Sequence, residues 1–316
     1  MGIIMNKRNI QELKKLRPKH NNQAIKYAKE VLGLKFTQFR SLEQELLLYN
    51  FMEPGITPVV GILPTNSGKS LIYQAGARYV AKEYGGKTVI ISPLISLMMD
   101  QVVKGSGSQE EALLLEKLKK EKVICLNSRI TNDHPRYHKA AIKTLEQGKF
   151  EQLYVSPERF RSRKFLTYYK RLKVLRFVID EAHCVELWGT TFRYEYKNLA
   201  NILKLHPKAK VVLLTASARP ELIKKTLHQL VPRHARTPIE VRSSIYREEL
   251  RILPPRQVKL ENNRAAILLT QIKKWLKANK ENKKAKVLIF SAFARESDHH
   301  WGCDELKDYF RERASK

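Results

Sequence analysis

PVVGILPTNSGKSLIYQ, residues 58–74, reads as a short buried strand, a turn and the start of a helix. The apolar run PVVGIL suits a strand, and the polar residues after it break that pattern before LIYQ opens a helix. A turn between strand and helix aims several backbone N–H groups, and the positive end of the helix dipole, at one point where phosphate oxygens settle. Thr65, Asn66, Ser67 and Gly68 form that turn. Gly68 lets the backbone approach without a Cβ, Lys69 reaches the β- and γ-phosphates, and the Ser70 hydroxyl is placed to ligate Mg²⁺. The general pattern asks for glycine at position 63, where this chain has Leu63, so on GKS alone a chance turn stays open.

The second half of such a site appears at FVIDEAHC, residues 177–184, where Asp180, Glu181 and His183 close an apolar strand. Asp180 is suited to hold hydrated Mg²⁺, and Glu181 to orient or deprotonate an attacking water. An Asp-Glu pair alone is usually a surface turn. At the end of a buried strand, in a chain that carries a phosphate turn, it reads as the catalytic partner of Lys69. Between and around these segments, PVVGIL, KTVIIS, KVICLN, QLYVS, LRFVID and KVVLLT are separated by stretches of helical length. Such alternation predicts a parallel sheet covered by helices, with ligands at the carboxyl ends of the strands.

Composition narrows the partners. The chain has 316 residues, 43% of them hydrophobic, which at about 150 residues per domain suits two globular domains. Lys and Arg number 60 against 31 Asp and Glu, a net +29 that favours a polyanion, nucleic acid first. Apolar runs such as VVGIL and VVLL are far short of the roughly 20 residues of a spanning helix, so an integral membrane protein is excluded. The N-terminus has no signal-peptide pattern, and a cytoplasmic location is expected. Cys125, Cys184 and Cys303 are scattered and read as reduced thiols; His299, His300 and Cys303 read as a polar turn rather than a metal cluster. Residues 1–35 form a basic extension with two short amphipathic helical patterns, Ile10–Leu16 and Ala24–Leu34, solvated or touching phosphate. Residues 36–238 carry the strand–helix alternation. In residues 239–316 it restarts weakly, with a helix at 264–280, a strand KVLIF at 286–290 and a helix at 304–310.

In chain order the blocks FTQFRSLEQE (36–45), LPTNSGKSLIYQ (63–74), ISPLISLMMDQV (91–102), LNS (126–128), YVSPERF (154–160), IDEAHCVELWGTTFRYEY (179–196), LTASA (214–218) and SSIYREELR (243–251) resemble the RecQ family of superfamily 2 DNA helicases. The resemblance implies an α/β fold: a RecA-like P-loop domain with a mostly parallel, doubly wound sheet, followed by an incomplete second RecA-like domain. It also implies an ATP-dependent DNA helicase that uses ATP and Mg²⁺ and moves 3′ to 5′ on single-stranded DNA. Phe36, Arg40 and Gln44 match the adenine-reading group, with one departure: the family's glutamine falls three residues after the arginine, where Glu43 stands here. Ser41 as a helix N-cap with Gln44 at its third position is the structural alternative. Trp188, Phe192 and Arg193 match the aromatic-rich loop that couples DNA binding to hydrolysis, with core packing of the rings as the alternative. Ser92, Pro93, Pro157 and Arg159 match segments lining the DNA path, where capping or core roles compete. Thr215 and Ser217 match the motif linking the two sites.

Lys316 is reached before any segment resembling the family's Gln-x-x-Gly-Arg-x-Gly-Arg motif, so a truncated motor is expected, with a separately encoded second motor domain as a candidate partner. Two other readings compete. One is a non-motor, nucleotide-gated DNA-binding protein or decayed remnant; the other, a P-loop small-molecule kinase, is disfavoured by the charge.

Overall fold

The computed structural model describes residues 7–33, 36–103, 109–184, 198–216, 219–231, 237–244, 264–278 and 311. Each of the six apolar runs forms a strand: β1 (Val59–Ile62), β2 (Lys87–Ile91), β3 (Val123–Leu126), β4 (Gln152–Val155), β5 (Val174–Asp180) and β6 (Lys210–Thr215). A seventh, β7 (Ile239–Arg242), pairs with β1 at the sheet edge. Its sequence, IEVR, lacks the continuous apolar signature because this edge is open, with only Val241 buried, whereas β3 at the opposite edge is buried throughout. All pairings are parallel, in the order β3-β4-β2-β5-β6-β1-β7. Every residue of β1 and β6 is buried, as strands covered on both faces require.

In a parallel sheet every carboxyl end lies along one edge. Read across this sheet, the strands end at Leu126, Val155, Ile91, Asp180, Thr215, Ile62 and Arg242. The residues that follow include Asn127, Ser156, Ser92 and Ser243, all buried polar groups. That edge is where the unusual residues of the sequence gather.

The helices are α1 (Lys7–Leu32), α2 (Leu42–Met52), α3 (Lys69–Tyr84), α4 (Ile95–Val102), α5 (Glu110–Glu121), α6 (Ser128–Asp133), α7 (Pro135–Gln147), α8 (Arg163–Lys170), α9 (Leu199–Leu203) and α10 (Pro220–Leu230), with a 3₁₀ turn at Pro157–Arg161. Where the sequence pattern suggests two short N-terminal helices, α1 is one helix with Pro18 inside it. Leu13, Leu16, His20, Ala24 and Tyr27 form an unbroken buried stripe at helical spacing. Packing of that stripe on α2 and α3 outweighs the cost of an internal proline, about 3 kcal/mol.

Helix α2 is buried from Glu43 to Met52, and its two ends are tied differently. At the carboxyl end, Arg176 of β5 and Lys210 of β6, register partners only 2% exposed, point at the last carbonyls. Arg176 Nε donates to Phe51 O (2.7 Å) and Nη2 to Glu53 O (2.8 Å), while Lys210 Nζ donates to Asn50 O and Glu53 O (both 2.7 Å). Two cations thus meet the negative end of the helix dipole, and their buried donors are satisfied. Burial lowers Arg176 to about 10 and Lys210 to about 7. On α3, a Cβ at Gly76 would lie 2.3 Å from the Phe51 ring, so glycine there lets α2 and α3 close on each other. The clamp and this contact set where the first turn of α2 lies, beside the phosphate turn.

The chain divides into two compact units, residues 1–246 and 247–316. In the second, α11 (Arg264–Ala278) forms where a helix was expected, with Ile267 and Trp275 exposed. The expected strand at 286–290 and helix at 304–310 lie outside the described residues, as do His299, His300 and Cys303. Among the described residues no helix is long and apolar enough to cross a membrane. Cys125 and Cys184 are free and buried.

Candidate active site

After β1 the chain turns through Asn66 (φ 64°) and Gly68 (φ 82°) and enters α3 at Lys69. Asparagine tolerates the left-handed region; at Gly68 a side chain is excluded twice. Its φ is left-handed, and a Cβ would lie 2.3 Å from Gln44 Nε2. That approach exists because Gln44 Nε2 donates to Gly68 O (2.9 Å), while Gln44 Oε1 accepts from the Arg40 backbone N–H (2.8 Å). Ser41 caps α2, its hydroxyl accepting from the Gln44 N–H (3.2 Å). Ser41 is thus the cap, and Gln44 is a helical residue whose amide faces the turn at Gly68. The Arg40 guanidinium donates to the backbone carbonyl of Asn66 and to Asn66 Oδ1 (3.2 Å). Phe36 is 7% exposed and packs edge-on against Phe39 with centroids 5.2 Å apart.

Lys69 Nζ donates to Leu63 O and Pro64 O (both 3.2 Å). Burial lowers its pKa, and the nearby carboxylates Glu181 and Asp180 oppose that shift. The Ser67 hydroxyl is buried in the turn with no hydrogen-bond partner among the described residues.

On the opposite wall β5 ends at Asp180. Its Oδ2 accepts from the Tyr73 hydroxyl (3.3 Å) and its Oδ1 from the Glu181 N–H (3.1 Å). Burial, with Glu181 beside it, pushes the Asp180 carboxyl up to about 6. Glu181 itself adopts φ 49°, a backbone cost of about 1–2 kcal/mol held by the surrounding turn. A hydrogen bond from His183 keeps Glu181 below the usual carboxylate range. His183 Nδ1 lies 2.9 Å from Thr215 Oγ1 and 3.4 Å from Glu181 Oε2, so it stands between the ends of β5 and β6. Bonds with the Cys184 side chain and with Glu181 raise His183 to about 9.

These walls enclose a cavity of about 340 Å³ that brings together Phe36, Arg40, Gln44, Thr65, Asn66, Gly68, Lys69, Ser70, Asp180 and Glu181. Ser67 and His183 are not among its lining residues but adjoin it through Gly68 and Glu181. Gln38, Tyr73, Gln74 and Gln101 line it as well and were not singled out from sequence. Tyr73 had a signal, four residues after Lys69 and hence on the same helical face.

The residues matched to a DNA path follow β2 and β4, the strands next to β5 along the same edge. Ser92 and Pro93 follow β2 and are buried; Pro157 is buried at the start of the 3₁₀ turn after β4. Half-buried Arg159 donates through Nη1 to Thr131 Oγ1 (3.2 Å), and its Nη2 lies 3.3 Å from His138 Nε2, which ties it to α6 and α7. Trp188, Phe192, Arg193 and Ser217 lie outside the described residues.

The sequence model of the DEAD/DEAH box helicases matches residues 43–226. The ATP-dependent DNA helicase RecQ of Bacillus subtilis (strain 168) is 37% identical over 171 residues, a match covering 53% of this chain and 26% of that protein. The probable ATP-dependent DNA helicase RecS of the same organism is 32% identical over 202 residues, covering 63% of this chain and 36% of its own length. The chain thus spans between a quarter and two fifths of the length of these relatives. Among solved structures, that of the DUF1998 helicase MrfA bound to DNA and AMPPNP superposes with a TM-score of 0.52 at 17% identity, over 80% of this chain and 34% of that one. At that identity the likeness concerns the fold: a parallel sheet flanked by helices.

Proposed function

The chain belongs to the DEAD/DEAH box helicase family, and from that membership, which implies nucleotide binding, we propose that it is the ATP-binding motor part of a RecQ-type DNA helicase. In this reading it uses ATP with Mg²⁺, couples hydrolysis to 3′–5′ movement on single-stranded DNA, and acts in the cytoplasm. The observation that carries the proposal is the meeting of Lys69 and Ser70, at the start of α3, with Asp180 and Glu181 across one cavity.

The phosphates would take the place of the Leu63 and Pro64 carbonyls as partners of Lys69, and the unpartnered Ser67 hydroxyl would gain an acceptor. Ser70 and Asp180 would hold Mg²⁺. The site suits a divalent cation, because burial crowds two carboxylates together and raises Asp180, a strain that positive charge relieves. When bound, Mg²⁺ neutralises charge on the β- and γ-phosphate oxygens. Glu181, kept ionised by His183, orients the attacking water and accepts its proton as the new P–O bond forms and ADP leaves. His183, beside both Glu181 and Thr215, would link the charge of Glu181 to the end of β6. Phe36, Arg40 and Gln44 would read adenine. Gln44 keeps one N–H and one oxygen lone pair beyond its bonds to Gly68 O and the Arg40 N–H, so base binding would be tied to the shape of the phosphate turn.

Ser92, Pro93, Pro157 and Arg159, with Trp188, Phe192 and Arg193, would line the single-strand path. Arg159 keeps a buried Nε without a partner in the described structure, a donor suited to phosphate. Arginines acting on the γ-phosphate, worth about 10³–10⁵ in rate, would come from a second motor domain, in the same protein or separately encoded.

Binding of a fluorescent ATP analogue with Mg²⁺, and of a single-stranded oligonucleotide, tests this reading. Lys69→Ala should abolish nucleotide binding and leave salt-sensitive DNA binding largely intact. Retention of nucleotide affinity by that variant would contradict the assignment.

A further inference from the structure

We propose that the outer face of α1 is a rail for the phosphate backbone of duplex nucleic acid, distinct from the strand-end path for single strands. The helix has 26 residues, about 39 Å at 1.5 Å per residue. Its buried stripe, Leu13 to Tyr27, faces α2 and α3. At 100° per residue, Lys7, Lys14, Lys15, Lys26 and Lys29 fall within about a third of the circumference, centred opposite that stripe, and all are exposed.

These lysines are not spent on ion pairs: among the described residues none of the five has an acidic partner. The cations nearer the buried side are differently placed. Arg17 forks onto buried Glu45 (2.7 and 2.6 Å), and Lys19 lies 3.9 Å from Glu53. Lys7 to Lys29 spans about 33 Å, close to one helical turn of duplex at about 34 Å. A duplex presents one charge per about 1.7 Å of axis counted over both strands, so a row of point charges about one turn long meets both backbone strands where they pass it.

Two features favour duplex over single strand. The only aromatic rings of α1, His20 and Tyr27, are buried, so the outer face offers no surface on which an unpaired base could stack. The face is rich in lysine, with one arginine, Arg8, at the same angle as Lys26, and Lys26 Nζ lies 5.2 Å from the centroid of the buried Tyr27 ring; such a set of mostly point charges suits a ligand recognised by charge and not by base. The rail is also preformed. Arg17–Glu45, His20–Glu53 (2.5 Å) and the apolar stripe fix α1 to the domain, so binding need not order it first. Its carboxyl end, Leu32, lies at the rim of the nucleotide cavity.

The test measures fluorescence anisotropy of a blunt 20-base-pair duplex and of a single-stranded oligonucleotide over a range of NaCl concentrations. It compares the full chain, the variant K14Q/K15Q/K26Q/K29Q, and a control of equal charge loss on exposed lysines elsewhere, K170Q/K204Q/K208Q/K224Q. At about 0.9 per lost phosphate contact, the rail variant should make the duplex slope of log K against log salt shallower by about 3, with single-strand binding near that of the parent. K26Q/K29Q, a milder change that guards against misfolding, should lose roughly half as much. Duplex binding should survive Lys69→Ala, so the rail and the nucleotide assignment fail separately. An unchanged duplex slope, an equal loss in the control or with single strand, or tighter binding to anionic vesicles than to duplex would overturn the proposal.

Discussion

Gly68→Ala probes the contact on which the phosphate turn and the base-reading segment depend together. Two costs add. Alanine at φ 82° costs about 1–2 kcal/mol in the left-handed region, and its Cβ, 2.3 Å from Gln44 Nε2, breaks the bond from Gln44 to Gly68 O, worth about 1 kcal/mol. The single variant should therefore lose about 2–3 kcal/mol. Gln44→Ala removes the bonds to Gly68 O and to the Arg40 N–H, about 2 kcal/mol. In the double variant the clash is gone, so only the backbone cost and the lost bonds remain, about 3–4 kcal/mol against a sum of about 4–5. Urea denaturation of the four proteins measures the difference. Strict additivity would refute the account, because it would mean that Gln44 does not sit on the phosphate turn.

Arg176→Ala should destabilise the domain by about 2–4 kcal/mol in the same assay, since Phe51 O loses its buried donor and Glu53 O keeps only Lys210; Arg176→Lys should recover part of it. His183, raised to about 9 from 6.5, adds stability that is complete below pH 6.5 and is lost as the pH rises through 9. The parent should weaken between pH 7 and 9.5, and His183→Gln should flatten that dependence; equal slopes would remove the His183 link from the account.

Strands β1 to β6 were legible because their burial forces near-continuous apolar runs, and the turn into α3 because Gly68, Lys69 and Ser70 follow in succession. Asp180 and Glu181 were legible because they break an apolar strand at its end. What escaped depends on register or on packing between segments. β7 reads as polar because only Val241 of it is buried, and α1 reads as two helices because Pro18 interrupts a stripe that only α2 and α3 make continuous. Arg176 and Lys210 look like misplaced charges until the β5–β6 pairing sets them side by side beneath the end of α2. Gln38 and Tyr73 join the cavity only once the segment after α1 folds over α3. For Ser41 and Gln44 the sequence offered a cap or a base reader, and one turn of helix accommodates the geometry of both.

The rate of ATP hydrolysis by the chain, followed through a titration with single-stranded DNA, tests the central claim most directly. The account predicts a rate that rises with DNA and saturates, and that Lys69→Ala and Glu181→Gln both abolish. Turnover indifferent to DNA, or a rate that survives Glu181→Gln, would contradict it.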